Sequence, residues 1–411
     1  MRKIIFSILS LALLIPIHVN ASVGSLVKVG NKYYETFEEA LANAGPNDTI
    51  TLLSDVKLKE TQNINKEVNI NLNGNDITAP ERVFLVNGGS LNITGSGKIK
   101  ETQPNMGAVA LIGSENPIDT DYSTVTIDKN VSLEGWAGIF ITHNNKKSYG
   151  VKVDFSGKIN SLADSEGITG SGIYVNGNIK DKNNHPVINI KDGAEITSTG
   201  VGLYIAGYST FNIRKAKIDG IEAGIGIKSG VLNIDGAEVK SNGPDETPTE
   251  GYNNGIKASG TSIQIESNNG YPGNIEINID SGTFTSKNSF VLYEYIGKGT
   301  SSQVTALDIS GGTFTGKKES IAISDSLKGF HNKFISGGKY SSNPTEFLKS
   351  GYSASLENGL YVVSQGTMKA VSLLDEGGNS SGKIILITTI LSIILLSLVY
   401  INRRKILNLV R

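Results

Sequence analysis

The chain has 411 residues, a formal net charge of −1 and no cysteine. Without cysteine it has neither a disulfide framework nor thiolate chemistry, so if it is exported it must be held together by its core alone. The basic residues at its two ends leave an acidic middle, which argues against nucleic acid or another polyanion as a partner.

The N-terminus has the pattern of an export signal. Met1-Arg2-Lys3 is basic, an apolar run extends from Ile4 to Ile17, and small residues lead up to Ala21. This pattern predicts a secretory signal peptide over residues 1–21, cleaved after Ala21; a retained N-terminal membrane helix is the alternative.

Residues 22–48 predict a small cap at the start of the mature chain. Val27 to Tyr34 has the pattern of a hairpin that turns at Gly30-Asn31. Thr36 and Glu39 are then spaced as the capping box of a short amphipathic helix. We expect this helix to cover the open apolar end of the strands that begin at Thr49.

One short phrase recurs through residues 49–363, in which a polar residue separates two apolar residues and Gly, Asp or Ser commonly follows. It occurs at Leu91-Asn92-Ile93, Val125-Thr126-Ile127, Val153-Asp154-Phe155, Ile188-Asn189-Ile190, Phe211-Asn212-Ile213, Leu232-Asn233-Ile234, Ile277-Asn278-Ile279 and Leu307-Asp308-Ile309. Repetition at this scale is typical of a solenoid, and short strands make it a β-helix. The steps from Ile190 to Ile213 and Ile234 suit one three-strand coil each, and we expect about a dozen coils.

A second phrase predicts an outer face with aromatic side chains. It occurs at Gly138-Ile139-Phe140-Ile141, Gly172-Ile173-Tyr174-Val175, Gly202-Leu203-Tyr204-Ile205 and Gly224-Ile225-Gly226-Ile227. Period-2 alternation turns the residue between the two apolar ones outward, so Phe140, Tyr174 and Tyr204 form a stripe that Trp136 extends. The stripe is our candidate ligand site, for a sugar ring or an apolar partner. Alternatively the rings stabilise one another, or lie under the loop that begins at Asn242.

Catalytic and metal chemistry is not predicted. The histidines His143, His185 and His331 lie in apparent loops, and Arg82 and Arg214 are the only arginines between the two ends. Aspartates follow isoleucines at several turns: Asp128, Asp219, Asp235 and Asp280. They either form a carboxylate ladder for Ca²⁺ or close Asx-turns at strand ends, and we favour the turns. No cofactor is expected.

The two ends of the repeat carry a resemblance to a known family. Tyr34–Ala40 and Gly45–Leu53 at the start, and Ser336–Val363 at the end, are similar to bacterial cell-surface proteins with a pectate-lyase-like β-helix. A weaker Gly-Thr-Phe phrase recurs at Ser281–Thr285, at Ser310–Gly316 and, with Lys339-Tyr340 in place of Thr-Phe, at Ser336–Ser341. The resemblance implies a right-handed parallel β-helix with an adhesive or surface-display role.

The C-terminus predicts a membrane anchor. Residues 364–383 resemble a flexible linker, residues 384–401 are an uncharged apolar span, and residues 402–411 form a basic tail that stays cytoplasmic. The family often ends in a sortase signal, but Leu374-Asp375-Glu376-Gly377-Gly378 lacks its Pro and Thr. We therefore expect a single-pass membrane protein with an extracellular ectodomain.

Together these patterns predict an all-β protein: a β-helix solenoid with a helical N-terminal cap and a C-terminal transmembrane helix. We expect a non-catalytic adhesin or display protein that binds a host or cell-surface glycan or protein. The alternative is a glycan-binding or glycan-degrading surface protein, for which acid and base side chains from distant coils would have to converge in one groove.

Overall fold

The computed structural model describes residues 24, 26–113, 123–142, 150–177, 184–245, 259–329 and 333–366. Internal contacts divide the chain into one compact unit, Met1–Gln365, and a second, Gly366–Arg411. The predicted signal peptide, the membrane span, the basic tail and most of the linker lie outside the described residues, as do His143 and His331. Among the described residues, no helix is long and apolar enough to cross a membrane.

The described chain is built almost entirely from three long sheets. Sheet A contains, in spatial order, β2 (Lys32–Tyr34), β1 (Val27–Val29), β3 (Thr49–Leu52), β6 (Glu67–Asn71), β9 (Ser90–Thr94), β12 (Ser123–Ile127), β15 (Val151–Phe155), β18 (Val187–Ile190), β21 (Thr210–Arg214), β24 (Gly230–Asp235), β27 (Ile275–Ile279) and β30 (Val304–Ile309). Sheet B contains β4 (Val56–Lys57), β7 (Ile77–Ala79), β10 (Gly97–Glu101), β13 (Val131–Gly135), β16 (Lys158–Ser161), β19 (Glu195–Ser198), β22 (Lys217–Gly220), β25 (Ala237–Ser241), β28 (Gly282–Ser286), β31 (Thr313–Gly316), β33 (Lys339–Tyr340), β35 (Leu360–Gln365) and β34 (Tyr352–Glu357). Sheet C contains β5 (Gln62–Ile64), β8 (Phe84–Asn87), β11 (Val109–Ile112), β14 (Ala137–Thr142), β17 (Ser171–Asn176), β20 (Val201–Ala206), β23 (Ala223–Ile227), β26 (Thr261–Asn268), β29 (Leu292–Lys298) and β32 (Ile321–Ile323).

Every third strand from β3 to β32 joins the same sheet, and its pairing with the next coil is parallel. This is the arrangement of a parallel β-helix with three sides, as the repeated phrase predicts. The described strands from β3 to β32 make ten complete coils, somewhat fewer than the dozen expected.

The core consists of columns of apolar side chains in register from coil to coil. Ile190 pairs with Ile213, and Ile213 pairs with Ile234; all three are buried. Because strand side chains alternate, a slip of one residue would turn a whole column outward, so burial fixes the register. The prediction that Ile213 and Ile234 point inward is confirmed.

The Gly-Thr-Phe phrase also builds the core. Phe284, Phe314 and Tyr340 stack inside sheet B, with ring centroids 4.6 and 5.0 Å apart. Gly282 precedes the first ring with a φ of +141°, and a Cβ there would lie 2.5 Å from the Ala237 carbonyl oxygen. The phrase therefore needs glycine both for its backbone angle and for the close approach of the coil below.

The N-terminal cap is present as predicted. Strands β1 and β2 form a hairpin, and β1 pairs antiparallel with β3. Helix α1 (Phe37–Asn43) begins at Thr36, whose Oγ1 accepts a hydrogen bond from the Glu39 backbone N–H at 3.2 Å. Phe37 is fully buried, and its ring centroid lies 6.0 Å from that of Phe84 in the second coil.

The C-terminal end is closed in a similar way. Strand β33 pairs antiparallel with β35, which forms a hairpin with β34. Two short 3-10 helices, Asp325–Leu327 and Thr345–Phe347, lie in the last part of the solenoid. The antiparallel hairpins extend sheet A at the N-terminal end and sheet B at the C-terminal end, and each covers one strand edge that would otherwise be open to pairing with another chain.

Candidate functional site

The three outer faces of the solenoid carry different chemistry. Sheet B presents alternating charges, since Lys158, Glu195 and Lys217 occupy one register column. The Lys158–Glu195 ion pair measures 2.9 Å and both side chains are largely exposed. Exposed ion pairs of this kind contribute little to folding stability. The outer side of sheet B is therefore a solvated, charged face.

Sheet A carries a ladder of side-chain amides. The middle residue of the recurring phrase is asparagine at four successive described coils, and each amide Nδ2 donates to the residue on the coil before it. The bonds are 2.9 Å for Asn278 to Asn233, Asn233 to Asn212, Asn212 to Asn189 and Asn189 to Asp154. Burial alone would raise the pKa of Asp154, but the bonds from Asn189 and Lys191 hold it below its usual value.

Sheet C carries the predicted aromatic stripe. Phe140 pairs in register with Tyr174, and Tyr174 with Tyr204. Their rings are stacked nearly parallel, with centroids 4.8 and 4.7 Å apart, while Gly226 takes the next position. Trp136 lies beside the stack, 5.4 Å from the Tyr174 ring centroid and tilted by 59°. The predicted register of Phe140, Tyr174, Tyr204 and Gly226 agrees with the structure.

The stack is accessible at one end only. Tyr204 is 4% exposed, because Tyr271 packs against it and the two hydroxyl oxygens lie 3.5 Å apart. Trp136, Phe140 and Tyr174 are half-buried. Burial raises the pKa of both Tyr174 and Tyr204. The accessible part of the stripe is therefore Trp136, Phe140 and Tyr174.

Stacking determines which part of each ring a ligand would meet. Phe140 and Tyr174 face each other at an interplanar angle of 9°, so the faces between them are occupied. A ligand approaching sheet C from outside would meet ring edges there, and the tilted indole of Trp136 beside them. The arrangement suits an apolar or amphipathic contact surface better than a row of separate sugar platforms. The stacked rings also stabilise one another, which is the first of the two alternatives to a ligand site. This stabilisation does not depend on a ligand.

A buried carboxylate holds Trp136 in place. Glu101 is fully buried and accepts hydrogen bonds from the backbone N–H groups of Gly107 and Trp136, at 2.7 and 2.9 Å. Burial raises the pKa of Glu101, against these bonds and the nearby charge of Arg82. The turn that presents the indole is thus anchored below the surface.

Beyond Gly226 the outer side of sheet C holds a buried polar cluster that sequence patterns did not indicate. Lys228 Nζ lies 3.0 Å from Glu266 Oε2, and their side chains are 0% and 1% exposed. Tyr295 donates from its hydroxyl to Glu266 Oε2 at 2.7 Å, and Gln264 donates to Tyr295 at 2.8 Å. The alternation Ile263-Gln264-Ile265-Glu266 predicts that these polar residues turn away from the core, but it does not reveal that they are covered.

The other polar residues considered in the sequence serve local structure. Asp128 Oδ1 accepts from the Lys129 backbone N–H, Asp235 from Ser281 and Asp280 from Ser310. His185 Nε2 lies 2.6 Å from Thr210 Oγ1. No group of three or more His, Asp or Glu suited to a metal ion occurs in the part of the chain that the structure describes.

Comparisons with protein-family models, with curated proteins and with solved structures find no match to this chain. The class of protein is accordingly defined by the fold: a parallel β-helix with hairpin caps at both ends and an aromatic stripe on one outer face.

Proposed function

We propose that this chain is a non-catalytic adhesin or binding protein, displayed on a bacterial surface as a right-handed β-helix. Its predicted signal peptide would export it, and residues 384–401 would anchor it with the solenoid outside the cell. The pectate-lyase-like surface proteins that its ends resemble support this role. Sheet C would make the contact with a glycan or protein on another surface.

The observation that carries the proposal is the accessible end of the stripe, where Trp136 packs against Phe140 and Tyr174. Clusters of partly exposed aromatic side chains are typical of sites that contact a ligand or a partner protein. The acid and base that do converge, Glu266 and Lys228, are enclosed rather than open to a groove. Binding therefore has better support than catalysis.

The test is a screen of the full-length protein against an array of glycans and a panel of extracellular matrix proteins. The double variant Trp136→Ala with Tyr174→Ala should lose binding to any ligand found. Phe290→Ala is the matched control, because it removes a half-buried ring that stacks on Tyr293 further along the solenoid. Unchanged binding by a folded double variant would exclude the stripe as the site, and no ligand in either panel would count against an adhesin.

A glycan-binding role has a separate observation in its favour. A groove of about 560 Å³ runs over the amide ladder, with Asn189, Asn212 and Asn233 on its floor and Lys191, Arg214 and Asp235 among the charged residues beside it. Amides and charged groups in a row suit the hydroxyls of an extended sugar chain. If this groove binds, Arg214→Ala should weaken glycan binding while the Trp136 and Tyr174 variant does not.

A further inference from the structure

The enclosed cluster on sheet C contains a complete set of groups for forming an amide bond between two side chains. Glu266 stands between an amine and a carboxamide: Oε2 lies 3.0 Å from Lys228 Nζ, and Oε1 accepts from Asn268 Nδ2 at 2.6 Å. Lys228 follows β23 in the seventh coil, whereas Glu266 and Asn268 belong to β26 in the eighth. One carboxylate thus bridges a nucleophile and a leaving group on neighbouring coils.

The carboxamide carbonyl is also polarised. Asn268 Oδ1 accepts a hydrogen bond from the Gly270 backbone N–H at 2.9 Å. A donor at this oxygen stabilises the negative charge that develops when an amine adds to the carbonyl carbon. The backbone N–H of Asn268 is in turn bonded to the side chain of Gln303, which also donates to the carbonyl oxygens of Tyr271 and Gly273 and so fixes this turn.

The surroundings exclude water from the reacting groups. Lys228, Glu266 and Asn268 are each at most 1% exposed. The rings of Tyr204 and Tyr271 have their centroids 5.7 and 4.9 Å from Lys228 Nζ, and Tyr295 contacts the carboxylate.

We infer that Lys228 and Asn268 form an intramolecular isopeptide bond, with Glu266 as the catalytic residue. A proton passes from Lys228 Nζ to the Glu266 carboxylate, and the Nζ lone pair attacks Cγ of Asn268. The Gly270 N–H stabilises the oxyanion on Oδ1. Glu266 then returns the proton to Nδ2, and the Cγ–Nδ2 bond breaks. Of the two protons still on Nζ, one leaves with the ammonia as an ammonium ion and the other stays on the new amide nitrogen. Lysine ammonium and asparagine carboxamide thus yield a secondary amide and an ammonium ion, and no oxidant or cofactor takes part.

The bond would join the seventh coil to the eighth across the segment that contains residues 246–258. It would act as a covalent staple in a chain that has no cysteine. This inference is independent of the proposed ligand site, since it concerns groups closed to solvent.

Tryptic peptide mapping of the full-length protein by mass spectrometry tests it directly. The expected result is a branched species in which peptide 218–240, uncut after Lys228, is joined to peptide 258–287, with the loss of one ammonia. Separate peptides 218–228, 229–240 and 258–287 of unmodified mass would overturn the inference without recourse to any variant. Loss of ammonia confined to peptide 258–287, as from a succinimide at Asn269-Gly270, would overturn it equally.

Variants assign the role of each group. Lys228→Arg and Glu266→Gln should both abolish the branched peptide, the first by removing the nucleophile and the second by removing the proton acceptor. Lys349→Met is the matched control: it breaks the part-exposed ion pair with Asp308 and should leave the branched peptide intact. A branched peptide that persists in folded Glu266→Gln would show that Glu266 is not the catalyst.

Discussion

Single residues set the register of this solenoid because each inward position is enclosed by the coils on either side. Ile213 is 2% exposed and lies between Ile190 and Ile234 in one column. A charge introduced there would be buried with no partner above or below it. The same substitution at residues 212 or 214 of this strand would not bury a charge, because their side chains turn outward.

We therefore expect Ile213→Asp to lower the free energy of unfolding by about 4 kcal/mol or more, or to prevent folding. Chemical denaturation followed by circular dichroism measures the change. Arg214→Ala, on the outer side of the same strand, is the control and should stay within about 0.5 kcal/mol of the wild type. Near-native stability of Ile213→Asp would contradict the observed register.

The glycine before the stacked core rings is a second test at this scale. A methyl group at Gly282 would meet the Ala237 carbonyl oxygen at 2.5 Å, whereas one at Gly351 would meet no atom within 4 Å. Both glycines have positive φ, so both alanine variants carry backbone strain of about 1–3 kcal/mol. We expect Gly282→Ala to lower the melting temperature clearly more than Gly351→Ala, because only the former adds a clash.

Sequence patterns are most informative for residues whose partners repeat. The alternation around Phe140, Tyr174 and Tyr204 predicts their register and outward direction correctly. It does not predict that Tyr271 covers Tyr204, because Tyr271 belongs to a turn outside the repeat. The burial of Lys228, Glu266 and Asn268 could not be predicted for the same reason. The exposure of an outward side chain on a solenoid depends on segments outside the repeat.

At the scale of elements, each sheet is stabilised by a ladder of like positions. The amide ladder of sheet A ends on the carboxylate of Asp154, which also pairs with Lys191 at 3.0 Å. A carboxylate whose pKa is lowered in the folded state stabilises that state above its unfolded pKa. This contribution is lost as the pH falls through the lower, folded value.

The wild type should accordingly lose stability below pH 3.8, the ordinary pKa of aspartate, and Asp154→Asn should lose less over the same range. Urea denaturation at a series of acidic pH values measures the difference between the two proteins. Asp192→Asn removes an exposed charge from the adjacent turn and serves as the control. Parallel curves for wild type and Asp154→Asn would show that the end of the ladder is not linked to acid stability.

The element order was predictable because hairpin, helix and coil each have a local signal. Thr36 and Glu39 are spaced as a capping box, and the bond between Thr36 and the Glu39 N–H is observed. The hydrogen bonds from Lys66 Nζ to the carbonyl oxygens of Leu41 and Ala44, both 2.8 Å, had no such signal. They join the end of the helix to a later coil, and contacts between distant segments leave no periodic pattern.

For the whole molecule, the sequence predicts an arrangement across a membrane. Residues 22–383 would lie outside the cell and residues 402–411 inside, on the basis of the signal peptide, the apolar span and the basic residues that follow it. The predicted signal peptide and the predicted membrane span both lie outside the described residues.

Proteolysis of intact cells tests this arrangement. Added protease should release or degrade the solenoid while an epitope fused after Arg411 stays protected, and a cytoplasmic marker protein confirms that the cells are intact. Full protection of the solenoid would refute the topology. Loss of the C-terminal epitope from intact cells would do so as well.

The amide ladder gives one side of the solenoid an electrical polarity. The four Asn donors of the ladder point toward the N-terminal end, so their dipoles add as peptide dipoles do in an α-helix, and Asp154 supplies the anion at the positive end. At the opposite end, the next residue in register is Asp308, which accepts two bonds from Lys349 at 2.8 Å. Each amide polarises the next, so substitution of a central one, Asn212, would weaken its neighbours as well as itself. The hydrogen bonds along this face thus all run in one direction, from Asn278 to the carboxylate of Asp154.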